Sequence, residues 1–384
     1  MSAKPENPLM ELKKAGQSVW LDYLSKEILK KGALKKLIEE DGLTGVTSNP
    51  SIFQKAISSG PYYDGSIHEM IGKNISDPKE LFLGLAIADV KEAADLLLPV
   101  YEATSGLDGY VSLEVSPDLA YDTEATMEEA RELFRRVGKK NIYVKVPATR
   151  EGLPAIETLI GEGINVNVTL LFSVERYKEV INAYIGGLEK LRDSGKKGLS
   201  EVSSVASFFV SRVDTLADKM LLEKYSQAQD YEKRSSIKAL MGRAAAANAK
   251  IAYQVYKKAF SEKRFQELSG KGARVQRILW ASTSTKNPEY SDIKYVEELI
   301  GPDSVNTMPE ETISAFRDHG TVRVSILDDV RGAETILKEL RDHGVDIDYV
   351  TAELESDGVE KFSDSFKAVL KAMAEKRDAL LARK

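Results

Sequence analysis

The chain contains no cysteine in 384 residues. That one absence removes disulfides, thiolate nucleophiles and cysteine metal sites together. Histidine is almost as scarce: His68, His319 and His343 are scattered, and no two stand at the spacing of paired metal ligands. Long apolar runs are missing as well. Met1 to Trp20 holds nothing like a signal peptide, and no later segment approaches a membrane span, so a cytoplasmic protein without a membrane partner is expected. Nor is there an excess of positive charge. With 54 Lys and Arg against 60 Asp and Glu, a protein that binds nucleic acid by neutralising phosphates is not expected. An anionic small molecule would need a local basic pocket.

What is present is a regular alternation of two kinds of segment. Ala130, Leu133, Phe134 and Val137 recur at helical spacing, with Thr126 and Glu129 as a candidate capping box. Tyr177, Ile181, Tyr184, Leu188 and Leu191 form a second helical stripe, and Phe366, Val369, Leu370 and Met373 a third near the C-terminus. Between helices lie eight strand-like runs: Ser18 to Leu24, Gly42 to Asn49, Tyr110 to Ser116, Asn141 to Ala148, Ile164 to Leu171, Val202 to Val213, Arg277 to Ser284 and Ser304 to Met308. Eight βα units argue for a closed α/β barrel, with an open doubly wound sheet as the alternative. The long connections 50–109 and 214–276 carry helical pattern and read as extra helices. No repeat or Pro/Ser-rich linker divides the chain, so residues 1–384 are expected to form one domain, a barrel core of about 17–309 followed by a helical extension of about 310–384. Thr321 to Leu327 fits a strand or the start of a helix equally well.

Alternate strand positions carry the chemistry, because successive side chains point to opposite faces. Ile142, Val144 and Val146 share one face of the fourth run, and Tyr143, Lys145 and Pro147 the other. Val111, Leu113 and Val115 oppose Ser112, Glu114 and Ser116; Val166, Val168 and Leu170 oppose Asn165, Asn167 and Thr169. Asp22, Asn49, Ser282 and Ser284 lie near the C-terminal ends of their own runs. One wet face of an antiparallel sheet would produce the same alternation. In a covered barrel, however, a lysine, two carboxylates, two asparagines and a threonine from five strands would converge on one interior, where ionised groups need partners. Such a set suits imine chemistry. A neutral amine attacks a ketone, the imine accepts electrons as the bond beta to it breaks, and carboxylates move the protons. Lys145 is the candidate nucleophile, with Asp22 and Glu114 available as proton carriers.

Five ordered blocks, GVTSNPSIF (Gly45 to Phe53), VSLEV (Val111 to Val115), NIYVKVPAT (Asn141 to Thr149), NVNVTLLFS (Asn165 to Ser173) and ASFFVSRVD (Ala206 to Asp214), resemble the transaldolase family. The block WASTSTKNP (Trp280 to Pro288) looks like its longer bacterial branch. The resemblance implies a (β/α)8 TIM barrel with extra helices inserted and at the C-terminus, and a class I aldolase mechanism with no metal and no organic cofactor. It implies Lys145 as the Schiff-base lysine, Asp22 as acid and base, and Glu114 with Thr169 as holders of a catalytic water. Asn49, Asn167 and Ser207 correspond to residues that hold the dihydroxyacetone hydroxyls, and Phe209 to a wall beside the water.

Arg212 matches the family's phosphate-binding arginine, the alternative being an ion pair with Asp214 on the rim. A second arginine of the shorter relatives is absent, and Ser284 with Lys286 is expected in its place. The implied reaction transfers a dihydroxyacetone unit from sedoheptulose 7-phosphate or fructose 6-phosphate to glyceraldehyde 3-phosphate or erythrose 4-phosphate. Two other readings remain: an aldolase that releases free dihydroxyacetone, whose relatives are shorter and carry Tyr at the place of Phe209, and a sugar-phosphate binder without turnover. Monomer and homodimer are both compatible, since helices from Glu310 onward could form an interface or pack across the mouth or bottom of the barrel.

Overall fold

A computed structural model of the chain describes residues 7–58 and 60–382; residues 1–6, 59 and 383–384 of the expected domain lie outside the described residues. Among the described residues eight parallel strands close into a barrel in sequential order: β1 (Gln17–Asp22), β2 (Gly45–Thr47), β3 (Tyr110–Glu114), β4 (Ile142–Pro147), β5 (Val166–Leu171), β6 (Ser204–Phe209), β7 (Arg277–Ala281) and β8 (Ser304–Met308). The open-sheet alternative is thereby excluded. Neighbours in register share one parity, with Trp20 beside Gly45, Glu114 beside Lys145, Lys145 beside Asn167, and Ser207 beside Leu279, except at the end of β5, where Leu170 turns to φ +54° and the register against β6 shifts between Val168 and Leu171. The opposite faces, with Val19, Leu21, Val111, Leu113, Val144, Val146, Val166 and Val168, are fully buried under the surrounding helices.

The strands are shorter than the apolar runs because several runs continue into helices or loops. The sixth ends at Phe209, and Arg212 and Asp214 stand in the first turn of the helix Ser211–Gln227. The second ends at Thr47, and Asn49 instead accepts the Ile52 N–H at 3.0 Å as the chain enters the helix Pro50–Ser58. The expected capping box is also corrected. Asp122 caps the helix Thr123–Val137 one turn earlier, accepting from Ala125 N, while Thr126 donates to Leu119 O. Glu129 accepts from both the amide and the hydroxyl of Ser116. Thr321 to Leu327 is neither strand nor helix; Ser325 and Ile326 donate their amides to Ile300 O.

Inserted helices fill the long connections as expected, with Pro50–Ser58, Asp64–Gly72 and Pro78–Ala103 in the first and Tyr231–Leu240, Ala244–Ser261 and Lys263–Ser269 in the second. The terminal helix Ile347–Leu381 spans about 50 Å at 1.5 Å per residue. It packs on Pro50–Ser58, Pro78–Ala103, Ser211–Gln227 and the end of β5, which places it across the mouth. Phe366 meets Phe82 edge-on at 5.8 Å, and Ser51 donates to Ser365 at 2.7 Å. No helix among the described residues is long and apolar enough to cross a membrane.

The barrel floor is plugged by ring stacking and one buried ion pair. Tyr143 stacks on Tyr110 at 4.2 Å and lies 6.0 Å from Trp20. A Cβ on Gly45 would fall 2.4 Å from the indole, so only glycine admits Trp20 there. Below the rings Arg277 pairs with Asp108 at 3.0 Å, and Asp108 also accepts from Trp20 Nε1 and Ser18. Removing one member of such a pair strands the other charge. Asp108→Ala is therefore expected to cost roughly 3–5 kcal/mol in urea unfolding, and the double change Asp108→Leu, Arg277→Met markedly less; a single-variant loss below about 1 kcal/mol would show that the pair is not what closes the floor.

Candidate active site

At the C-terminal ends of the strands a cleft of about 520 Å³ opens under the terminal helix. Lys145, Asp22, Thr169, Asn49, Ser207, Phe209, Arg212, Ser284 and Lys286 all line it. Lys145 rises from β4 with a side chain only 6% exposed, donating to Glu114 Oε2 at 3.3 Å and to Ser48 O at 3.1 Å. Glu114 reaches Lys145 from the neighbouring strand and borders a recess of about 10 Å³ walled by Phe53, Phe82 and Phe366, room for about one water. Asn167 lies a layer deeper, fully buried, its Nδ2 donating to Ser112 at 3.1 Å and its Oδ1 accepting from Ser207 at 2.6 Å. It fixes Ser207 from behind rather than facing the cleft directly. Thr169 is fully buried and its hydroxyl finds no protein partner.

Burial pushes both carboxyls above the usual range. For Asp22 the opposing influences are the positive charge of Lys145, a hydrogen bond from Thr47 at 2.7 Å, and Arg212. For Glu114 the charge of Lys145 and their hydrogen bond oppose burial, while Asp22 adds to it. The ionisation of Asp22 and that of Glu114 thus each depend on the Lys145 charge between them and its surroundings.

Arg212 settles the rim alternative. Asp214 is engaged elsewhere, accepting from Ala245 N at 2.7 Å and from the Tyr295 hydroxyl at 2.9 Å. The Arg212 guanidinium instead lies 5.1 Å from the Phe209 ring centre and 5.8 Å from that of Phe362, within range of cation–π attraction. Lys286 donates to Ser284 at 2.7 Å, so these two form one polar spot on the same cleft. Among the described residues no three His, Asp or Glu side chains converge as metal ligands would.

Several lining residues escape a reading of the sequence alone. Thr47 and Thr307, joined hydroxyl to hydroxyl at 2.7 Å, share the inward parity of β2 and β8, and stricter use of alternation finds both. Lys55, Glu310, Glu311 and Phe362 also line the cleft from helices, where strand parity gives no signal. Because Thr47 stabilises ionised Asp22, Thr47→Val is expected to move the Asp22 titration to higher pH. Carboxyl-¹³C NMR, with the resonance assigned through Asp22→Asn, reads this directly, and an unchanged or lower midpoint would refute the assigned partnership.

Fold and cleft together define a (β/α)8 barrel carrying a buried lysine and two carboxylates at its C-terminal mouth, the usual place for a barrel active site. The Transaldolase/Fructose-6-phosphate aldolase family model matches residues 19–373, a span that takes in the terminal helix as far as Met373. Transaldolase 2 of Nostoc punctiforme is 46% identical over 373 residues, covering 96% of this chain and 97% of that protein. The transaldolase of Mycobacterium leprae is 47% identical over 383 residues, 99% of this chain and 100% of its own; that of Trichodesmium erythraeum is 45% identical over 372 residues, 96% and 97%. The chain belongs to the transaldolase/fructose-6-phosphate aldolase family.

Proposed function

We propose that this enzyme is a transaldolase that moves a dihydroxyacetone unit from sedoheptulose 7-phosphate or fructose 6-phosphate to glyceraldehyde 3-phosphate or erythrose 4-phosphate, through a Schiff base on Lys145, and that the whole chain works as one unit. The observation that carries this reading is a single cleft holding Lys145 and Asp22 at its depth and Arg212 and Lys286 on its wall, with Glu114 on the adjoining recess hydrogen-bonded to the same lysine.

The neutral Lys145 amine adds to the ketose C2 carbonyl, and the carbinolamine loses water to give the protonated imine. Asp22 takes the C4 hydroxyl proton as the C3–C4 bond breaks. The aldose phosphate leaves, and the bonding pair enters the enamine. On arrival of the second aldose phosphate the pair attacks its aldehyde carbon, Asp22 returns the proton to the new alkoxide, and water releases the product ketose from Lys145. Glu114, against the lysine, and Thr169, whose buried hydroxyl lacks a protein partner, suit the water that must leave and re-enter. Asn49 and Ser207, backed by Asn167, suit the dihydroxyacetone hydroxyls. Arg212, Ser284 and Lys286 suit the phosphate, a dianion matched by a guanidinium fork. Phe209, with Phe172 at 5.0 Å, makes an apolar wall that shields the enamine from stray protonation.

Incubation with fructose 6-phosphate and erythrose 4-phosphate is expected to form sedoheptulose 7-phosphate and glyceraldehyde 3-phosphate in equal amounts, with little dihydroxyacetone released when the acceptor is omitted. Lys145→Met is expected to lose roughly 10⁴-fold or more in kcat, as removal of a nucleophile does. Rapid acceptor-independent release of dihydroxyacetone would make the protein a simple aldolase; no turnover with either substrate would leave a binding protein.

A further inference from the structure

The loop from Ser282 to Asp303 that carries Ser284 and Lys286 contains only the short helix Lys294–Glu297 among its described elements. A loop of that length holds a lysine in place only if something fixes it, because ordering its backbone and a flexible side chain costs entropy. The helix Ser211–Gln227, which carries Arg212, supplies the fixing points. Ser211 is bound to Ser282 through amide to carbonyl and hydroxyl to hydroxyl, both at 3.0 Å. Further along the same helix Asp214 accepts the Tyr295 hydroxyl at 2.9 Å and Asp218 the Tyr290 hydroxyl at 2.7 Å. Four residues apart, the two aspartates lie on one face of the helix and meet two phenols of one loop.

Each aspartate is itself held by the backbone. Asp214 accepts from Ala245 N at 2.7 Å and Asp218 from Gly242 N at 2.8 Å. Gly242 adopts φ +71°, and a Cβ there would fall 2.7 Å from the Tyr290 ring, so the phenol rests directly on the glycine backbone. Tyr290 N in turn donates to Asn287 O, next to Lys286. Lys286, Asp214, Asp218, Tyr290 and Tyr295 border a second cleft of about 520 Å³, and Lys286 also lines the first. The Lys294 ammonium lies 5.0 Å from the Tyr295 ring centre and 5.9 Å from that of Tyr290.

We infer that Asp218–Tyr290 and Asp214–Tyr295 form a clamp whose task is to fix the spacing between Arg212 on the helix and Lys286 on the loop, making Asp218 and Tyr290 positioning residues for recognition of the substrate phosphate. The inference rests on the phosphate reading of Arg212 and Lys286 given above. Two cations grip one dianion best at a preset separation, and the clamp joins the two elements that carry them behind the cleft surface.

The test compares acceptors with and without a phosphate. Fructose 6-phosphate, held at a concentration that saturates each variant so that its own phosphate contact does not enter, is the donor, and erythrose 4-phosphate or unphosphorylated glyceraldehyde the acceptor. Tyr290→Phe keeps the ring on Gly242 and deletes only the hydroxyl. It is expected to raise KM for erythrose 4-phosphate about three- to tenfold while leaving kcat and the KM for glyceraldehyde unchanged, and Asp218→Asn added to it is expected to cost little more, since both act through one contact. Lys286→Met serves as the reference for phosphate recognition and is expected to discriminate between the two acceptors. If Lys286→Met discriminates and Tyr290→Phe shifts neither KM, or shifts both equally, the clamp is only structural and the inference falls. If Lys286→Met itself fails to discriminate, the phosphate reading falls and takes the clamp with it.

Discussion

A lysine ammonium 3.3 Å from a glutamate inside a closed barrel is the contact on which the remainder of the site depends. Neither charge is tolerable there alone, since an unpaired ion in the interior costs several kcal/mol. The floor below them is plugged by stacked rings, so compensation comes from the strands themselves. Asp22, Thr47 and Thr307 form the other side of this arrangement, with Thr47 bridging a carboxylate and a hydroxyl. Because the Lys145 charge opposes the burial of both carboxyls, any change in that charge is felt by both. In the proposed cycle the protonated imine keeps the positive charge and the enamine loses it. At that moment Asp22 and Glu114 become harder to ionise, which favours Asp22 holding the proton it has just taken until an acceptor arrives.

The floor makes that arrangement possible. A barrel interior is a packed core rather than a pore, and here it is filled in layers, with Arg277 and Asp108 lowest, then the rings of Trp20, Tyr110 and Tyr143, then the polar layer of Ser112, Asn167 and Ser207, and the reactive groups at the top. Apart from Asp108, which enters from the loop before β3, these layers exist because one parity of each strand faces inward up to the register shift at the end of β5. A one-residue slip in any strand would exchange its polar set for its aliphatic set and dismantle the site.

That same periodicity explains what the sequence discloses. Strand side chains alternate with a period of two, so Lys145, Glu114, Asn167 and Thr169 are recognisable from the residue pattern alone as one inward-facing set. Residues supplied by helices and loops are not. Lys55, Phe362 and the pair Glu310 and Glu311 reach the cleft through helix placement, and the helix Ile347–Leu381 crosses the mouth for reasons that lie in tertiary packing. Arg212 reads as part of a strand because Val210 and Val213 extend the apolar run, yet the chain turns at Val210. The pattern of Thr126 and Glu129 suggests a cap that does not form, because Asp122 outcompetes Thr126 one turn earlier and Glu129 has a use elsewhere, on Ser116. The partnership of Asp218 with Tyr290 spans 72 positions and follows no local pattern at all.

The most direct test of the central claim is chemical trapping. Intact protein incubated with fructose 6-phosphate and reduced with borohydride should carry one dihydroxyacetone-derived adduct, mapped by mass spectrometry to Lys145, with Lys55 and Lys286 of the same cleft unmodified. A folded, turning-over protein that yields no adduct at Lys145, or yields it on either of those other lysines, would contradict the account.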